Sequence, residues 1–385
     1  MILSAINKIT QDKNVVYMLT LVLCSTLSSM LLTPFLPNYL INQLGVDPIM
    51  VAEYFLYLYL FSVPGALLGG ILVDKFNPNV VINFSIVLLL LLPMAIMFEM
   101  NAIITVIACC LNATGRGVLL VAVVYKAFDN SDENYTRKVY VSVYICANFA
   151  GMLSPLLVFF VDDSSLVIPA FIAFLISSGL LLMTLLIKRK VHESESKKST
   201  SAVSSGTHKL FSVFILVNLI TFIYALLFNN IYVTVPIYLQ HITLLGREVY
   251  PILLFLNGGL VILFQFLYLR LSKVVSQETI LLGGTLLLAF NYFASSFIIN
   301  ALSVILFAVF FTLAEALIEP VRTSLINKHS KEKYRGLSNG VNVASGGLAG
   351  IGIYFSTMIA ESNSFAFLLK CWALLALVMA LSAVA

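Results

Sequence analysis

The chain has 385 residues, 60% of them hydrophobic and 10% charged, with a formal net charge of +4. That balance lies far outside the soluble range and leaves a lipid bilayer as the suitable solvent. It excludes a nucleic-acid binder, because the cations sit at the ends of apolar runs and report orientation instead of forming a basic surface.

Apolar runs long enough to cross roughly 30 Å of hydrocarbon recur along almost the whole sequence, and twelve are expected. The first six are Val15 to Leu36, Val51 to Val73, Val80 to Phe98, Ala102 to Tyr125, Val139 to Phe160 and Val167 to Ile187. The second six are Leu210 to Val235, Tyr250 to Leu269, Thr279 to Ile298, Leu302 to Ile326, Gly336 to Ala360 and Phe365 to Ala385. The opening "MILSAINKITQDK" lacks the layout of a secretory signal, so the first run is expected to be retained. The last run reaches Ala385 with no basic tail, as a trimmed chain would.

Charge placement orients the runs. With a cytoplasmic N-terminus, Lys8, Lys13, Lys75, Lys126, Arg137, Lys138, the cations from Lys188 to Lys209, Arg270, Lys273 and those from Lys328 to Arg335 fall inside. Arg247 and Lys370 fall outside, which is the positive-inside pattern.

A polar segment, Lys188 to Lys209, separates the two sets of six and reads as a cytoplasmic linker, giving an N-terminal half over 1–187 and a C-terminal half over 210–385. The halves echo each other: Lys75 and Lys273 are 198 positions apart, as are Arg137 and Arg335. Parallel repeats of this kind bracket a cavity near the membrane midplane, opened alternately to each side.

Five cysteines, Cys24, Cys109, Cys110, Cys146 and Cys371, lie within the runs as small hydrophobes, and the four histidines lie in loops or at run ends. No metal site, cofactor or membrane-embedded enzymatic constellation is expected, and no G-x-x-x-x-G-K-[ST] motif supports an ATP-driven pump.

The chemistry sits in a few places, taken in chain order. After the second run, "GGILVDKFNPN" places Asp74 and Lys75 where the chain leaves the membrane, and an acid there can accept from unpaired amides at a neighbouring helix N-terminus. In the fourth run Arg116 lies roughly ten residues from either end, too deep to snorkel, so it is expected to face a wet cavity or a carboxylate. In the fifth, Ala150, Ser154 and Pro155 give a small-x-x-x-small-Pro pattern suited to close helix packing and a bend.

The tenth run carries Glu315 and Glu319 on one face, with Arg322 a turn further along it and Pro320 loosening the helix beside them. Under the 198-residue offset Arg116 maps to Ala314, so Arg116 and Glu315 belong at similar depth in equivalent helices. Arg116 is therefore expected to face Glu315 or Glu319, where desolvation and a nearby cation pull a carboxyl's proton affinity in opposite directions. A static ion pair between the halves, or pairing of Glu319 with Arg322 along its own helix, would use the same residues.

Several of these residues resemble the major facilitator superfamily. Gly70, Leu72, Asp74 and Lys75 match its motif between spans two and three, with Asn77 in place of the second glycine as a residue that also visits left-handed backbone. Pro78 and Asn79 stand where the family has basic residues. Arg116, the pattern at Ala150, Ser154 and Pro155, and the pair Glu319–Pro320 resemble the bacterial twelve-span drug:proton antiporter branch, although Leu119, Leu120 and Val158 depart from it.

The resemblance implies an all-α membrane protein of twelve transmembrane helices in two pseudo-symmetric six-helix halves, with spans one, four, seven and ten lining the cavity. Glu319, Glu315 and Arg116 are then the expected proton-coupling residues. Arg116, Asn229, Asn230, Tyr224 and Ser29 are the expected substrate contacts, with helix-to-helix hydrogen bonding the other use of the polar ones. Gly70, Asp74, Lys75, Asn77, Ala150, Ser154 and Pro155 are expected to serve the conformational switch. The function implied is proton-coupled efflux of an organic small molecule by a monomer in a bacterial cytoplasmic membrane. The same fold also serves symporters and sugar exporters, and a membrane-embedded enzyme or scaffold is the distant alternative.

Overall fold

The structure is a computed structural model that describes residues 13–127, 133–159, 166–186, 207–232, 235, 249–297, 301–329, 335–362 and 364–383. Lipid offers the backbone no hydrogen bonds, so a chain this apolar must satisfy its amides within helices. The first half contains α1 (Lys13–Met30), the short α2 (Leu36–Asn42), α3 (Pro48–Lys75), α4 (Pro78–Met97), α5 (Ala102–Ala127), α6 (Glu133–Phe159) and α7 (Val167–Leu186). The second contains α8 (Thr207–Asn229), α9 (Val249–Leu271), α10 (Gln277–Ser295), α11 (Ala301–His329), α12 (Arg335–Leu348), α13 (Ile351–Ser362) and α14 (Phe365–Ser382).

These helices make the twelve-span architecture, with the eleventh span divided into α12 and α13 at Ala349 and Gly350. Among the described residues, eight helices are long and apolar enough to cross a membrane. The remaining spans come from the apolar stretches Val141–Ser154 and Phe214–Asn229, from α10 and from the α12–α13 pair. The linker over 188–209 falls largely outside the described residues.

The two halves pack alike. In the first, α3 packs on α5, α4 on α5 and α7, and α1 on α6 and α7; in the second, α9 packs on α11, α10 on α11 and α14, and α8 on α12 and α14. Each half has its own apolar interior: Leu21, Ile82, Ile86 and Val121 in one, Leu227, Tyr292, Phe311 and Trp372 in the other. Large side chains such as Phe84, Leu182, Phe290 and Leu374 point outward, a pattern that marks a surface meant for lipid.

Two prolines inside spans free a backbone carbonyl, and a neighbouring helix answers each. Pro93 leaves the Leu89 carbonyl without its helical partner, and the buried Asn112 on α5 donates to it at 2.9 Å. Pro320 does the same to Ala316 on α11, where Gln265 on α9 donates at 3.4 Å.

Two seams join the halves, α3 against α12 and α6 against α9. The 198-residue offset carries α3 onto α9 and α6 onto the α12–α13 region, so the seams are equivalent places in the duplicated frame. The first is very close: a Cβ on Gly340 would lie 2.7 Å from the Ala66 carbonyl oxygen, so only glycine fits there.

Candidate functional site

Glu315 is the most buried acid of the membrane interior among the described residues, at 3% exposure. The length of α11, about 44 Å by helical rise, places it near the middle of the span. Two neutral donors hold its carboxylate. The Tyr144 hydroxyl on α6 donates to Oε1 at 2.5 Å, and the Asn257 amide on α9 donates to Oε2 at 2.9 Å. The same amide donates to the Thr312 hydroxyl, one turn earlier on α11, at 2.9 Å. No cation pairs with Glu315 among the described residues; desolvation therefore works against its charge while the two donors support it. Tyr144 belongs to the first half and Glu315 to the second, so this bond crosses between them.

Glu319, one turn on, sits differently. Arg322 grips it in a two-pronged pair, Nη2 to Oε1 at 2.6 Å and Nε to Oε2 at 3.1 Å, with side-chain exposures of 12% and 16%. The guanidinium reaches further: Nη1 donates to Asn342 Oδ1 on α12 at 2.8 Å and to the Thr221 hydroxyl on α8 at 3.1 Å. Asn342 closes the circle by donating to Thr221 at 2.7 Å. Arg322 also lies 6.0 Å from the centre of the Tyr224 ring, which stacks on Phe228. The Tyr144 hydroxyl lies within electrostatic reach of Tyr224 and Glu319 as well as Glu315.

The other expected residues fall in several places. Arg116 is half-buried on α5, and its charge is felt by Tyr59 on α3 and Cys109 on its own helix. Tyr224 is buried beside Arg322. Asn230 is fully buried and donates to the Leu226 carbonyl at 2.6 Å; Asn229 is half-buried where α8 ends. Ser29 is buried near the end of α1, and its neighbour Ser28 bonds Ser177 on α7 at 2.8 Å.

At one end of the first seam, where α3 finishes and α12 begins, the Asp74 carboxylate accepts from the Gly336 amide at 3.1 Å and the Leu337 amide at 3.0 Å. Those are two of the unpaired donors that open α12, and an anion there also meets the positive end of the helix dipole. Gly336 permits the approach, since a Cβ on it would lie 2.6 Å from Asp74 Oδ1. Gly70 contributes likewise, with Gly336 O 2.6 Å from where its Cβ would stand. Lys75 is exposed in the last turn of α3, where a cation suits the negative end of the helix.

Asn77 departs from its expected backbone. Its φ of −58° and ψ of 122° are extended, and its side chain caps α4 by accepting from the Asn79 amide at 2.9 Å. The reason is Pro78, which pushes the residue before it out of helical geometry and occupies the first turn of α4. On α6, Ala150 is fully buried and Ser154 donates to the Gly151 carbonyl; the helix continues through Pro155.

Tyr144, Thr221, Thr312 and Asn342 were not singled out by the sequence. Asn257 and Gln265 carry the available signal, a strongly polar side chain inside an apolar run, which within lipid needs a partner on another helix.

A family model described as Major Facilitator Superfamily matches residues 18–351. No curated protein matches the sequence. Among solved structures, the human organic anion transporter MFSD10 (TETRAN) is similar with a TM-score of 0.79 at 14% identity, covering 96% of this chain and 98% of that one. A POT family transporter in complex with a thioalcohol-conjugated peptide gives 0.78 at 15% identity, covering 96% and 95%. The Escherichia coli fucose:proton symporter FucP gives 0.71 at 15% identity, covering 96% and 97%.

Proposed function

The chain belongs to the major facilitator superfamily, and on that premise we propose that this secondary transporter exports an organic small molecule in exchange for protons across a bacterial cytoplasmic membrane. The observation that carries the proposal is Glu315, a carboxyl buried at mid-span between two neutral donors, one from each half. A group so placed is a proton carrier in this reading: its charged form is held by hydrogen bonds and its neutral form suits the dry surroundings.

Glu319 and Arg322 play a different part. Their pair is close to neutral as a unit, and a charged substrate group can compete for either partner, with Arg116 as the corresponding cation of the first half. Tyr224, Asn229, Asn230 and Ser29 are the neutral contacts in this proposal. Gly70, Asp74, Lys75 and Asn77 form the cytoplasmic switch with the start of α12, and Ala150, Ser154 and Pro155 give α6 its sliding face. The halves 1–187 and 210–385 rock about the linker over 188–209, with the N-terminus and linker cytoplasmic and the monomer as the working unit.

Everted membrane vesicles with an imposed proton gradient and a fluorescent pH reporter test this. Addition of a panel of organic compounds to wild type is expected to release protons for the transported members, and Glu315→Gln is expected to abolish that release. Proton movement in the opposite sense would replace export by symport. Transport of a labelled compound with no proton movement would sink the proton-coupled reading.

A further inference from the structure

We infer that Tyr144 is the positioning residue through which the charge state of Glu315, in the second half, is felt by the first half. The inference rests on the reading of Glu315 as the proton carrier and adds the physical link by which proton binding reaches a conformational change.

Asn257 and Tyr144 each give one hydrogen bond to the same carboxylate, at 2.9 and 2.5 Å. Asn257 stands on α9, which belongs to the same half as Glu315 and packs along α11. Tyr144 stands on α6, which belongs to the other half and meets α9 and α11 at the second seam. One bond therefore ties Glu315 to its own half, and the other ties the halves together.

A hydrogen bond to a carboxylate is about twice as strong as one to a neutral acceptor. When a proton adds to Glu315, no covalent bond to carbon changes; the carboxylate becomes a carboxylic acid with one O–H donor and one carbonyl acceptor. The Tyr144 bond then loses its charge assistance, and the seam between α6 and α11 is weakened where it runs through the membrane interior. Loss of the proton restores it. The seam at α3 and α12 has no part in this, because the Asp74 carboxylate that fastens it lies where α3 finishes and α12 begins.

The surroundings focus the effect on Glu315. Titratable or charged groups on the described parts of the helices packed against α11 are Tyr144 and Cys146 on α6, Tyr224 on α8, Tyr268 and Arg270 on α9, and Glu278 and Tyr292 on α10. Gly336 to Leu348 of α12 carry none. On α11 itself, Glu319 is held by Arg322. Arg270 and Glu278 lie at helix ends and are exposed, and Cys146 packs against the interior of the first half. The phenol in contact with Glu315 is Tyr144, with Tyr224 and Glu319 within its electrostatic reach, while Tyr292 donates to the Leu227 carbonyl.

Spin labels at Asn101 and Ser364, exposed positions on opposite halves at the same face of the membrane, read the separation of the halves in the full chain. Wild type is expected to change its ratio of near to far separations at least fivefold, roughly the effect of one small interaction, between alkaline and acidic pH. Glu315→Gln and Tyr144→Phe are both expected to make the ratio independent of pH. Asn257→Ser, whose shorter hydroxyl no longer spans the 2.9 Å amide bond to the same carboxylate and leaves Tyr144 in place, is expected to keep a pH response. Thermal unfolding followed through the single tryptophan, Trp372, checks each variant, and Tyr144→Leu takes the place of the Phe variant if that one does not fold.

A pH response retained in Tyr144→Phe, with Glu315→Gln silent, overturns the role of Tyr144 and leaves the proton carrier intact. A silent Asn257→Ser overturns it too, because loss of any donor would then suffice. A response retained in Glu315→Gln, or absent from wild type, overturns the proton-carrier reading and the inference with it.

Discussion

Asp74 and Gly336 stand 262 positions apart and meet where one half ends α3 and the other begins α12, the carboxylate accepting the glycine's amide proton at 3.1 Å. A second amide, of Leu337, completes the contact. The arrangement is an ordinary helix cap supplied by a different part of the chain, and it fastens the end of α3 to the start of α12 with charge-assisted bonds.

Removal of that charge gives the first prediction. Asp74→Asn keeps one acceptor and adds an NH₂ group that faces two donors, so it is expected to weaken the seam by about 1–2 kcal/mol. Gly336→Ala is expected to act in the same direction by forcing Asp74 and the Gly70 carbonyl apart. Labels at the exposed Asn77 and Ser276, on that same end of the two halves, would show a larger separation in both variants. An unchanged separation would mean that the cap contributes nothing to closing that side.

The Glu319–Arg322 pair yields a double-mutant cycle. Loss of either partner alone leaves a partly buried charge, and the single changes Glu319→Gln and Arg322→Gln are each expected to lower thermal stability more than the double change implies by addition. A coupling of about 1–3 kcal/mol is expected, with Asn342 and Thr221 left to support whichever member remains. Simple additivity would show that the pair is solvated enough to be indifferent.

Asn112 offers a contrast between structural and functional polar groups. Its amide serves the Leu89 carbonyl that Pro93 leaves open, so Asn112→Ala is expected to destabilise the first half by about 1–3 kcal/mol. The pH dependence of transport should be unaffected. A shifted pH profile with unchanged stability would reverse that assignment.

Gln265 and Pro320 should behave as a coupled pair. Gln265 is fully buried and its Oε1 has no partner among the described residues, while its amide donates to Ala316 beneath Pro320. With Pro320→Ala, the helix regains its own donor to Ala316, and Gln265→Met should then cost less than it does in the wild-type background, by roughly 0.5–1.5 kcal/mol. Equal cost in both backgrounds would mean that the long 3.4 Å bond carries no energy.

The span pattern was legible in the sequence because crossing hydrocarbon demands a run of apolar side chains, and the duplication showed because Lys75 and Arg137 repeat at one offset. Glu315, Glu319 and Arg322 stood out for the same reason, as charges where lipid tolerates few. Tyr144, Thr221 and Asn342, which bond to them, did not. Tyr144 lies 171 positions from Glu315, and its bond depends on how the halves meet, which no local period encodes. The pairing of Glu319 with Arg322 needed only helical spacing and was among the readings open from the start. Asn77 shows the opposite limit: a family position suggested left-handed backbone, whereas the adjacent Pro78 decided its geometry.

The equivalence of the two halves acquires a further meaning when their charges are compared. Position 59, carried forward by 198, becomes 257, and position 116 becomes 314. Tyr59 with Arg116 in one half thus corresponds, within a residue, to Asn257 with Glu315 in the other. The duplicated frame holds a cation on one side of its pseudo-twofold axis and an acid on the other, which amounts to a dipole laid across the axis. A frame that geometry alone would leave indifferent to the exchange of its halves has in this way been given a polarity.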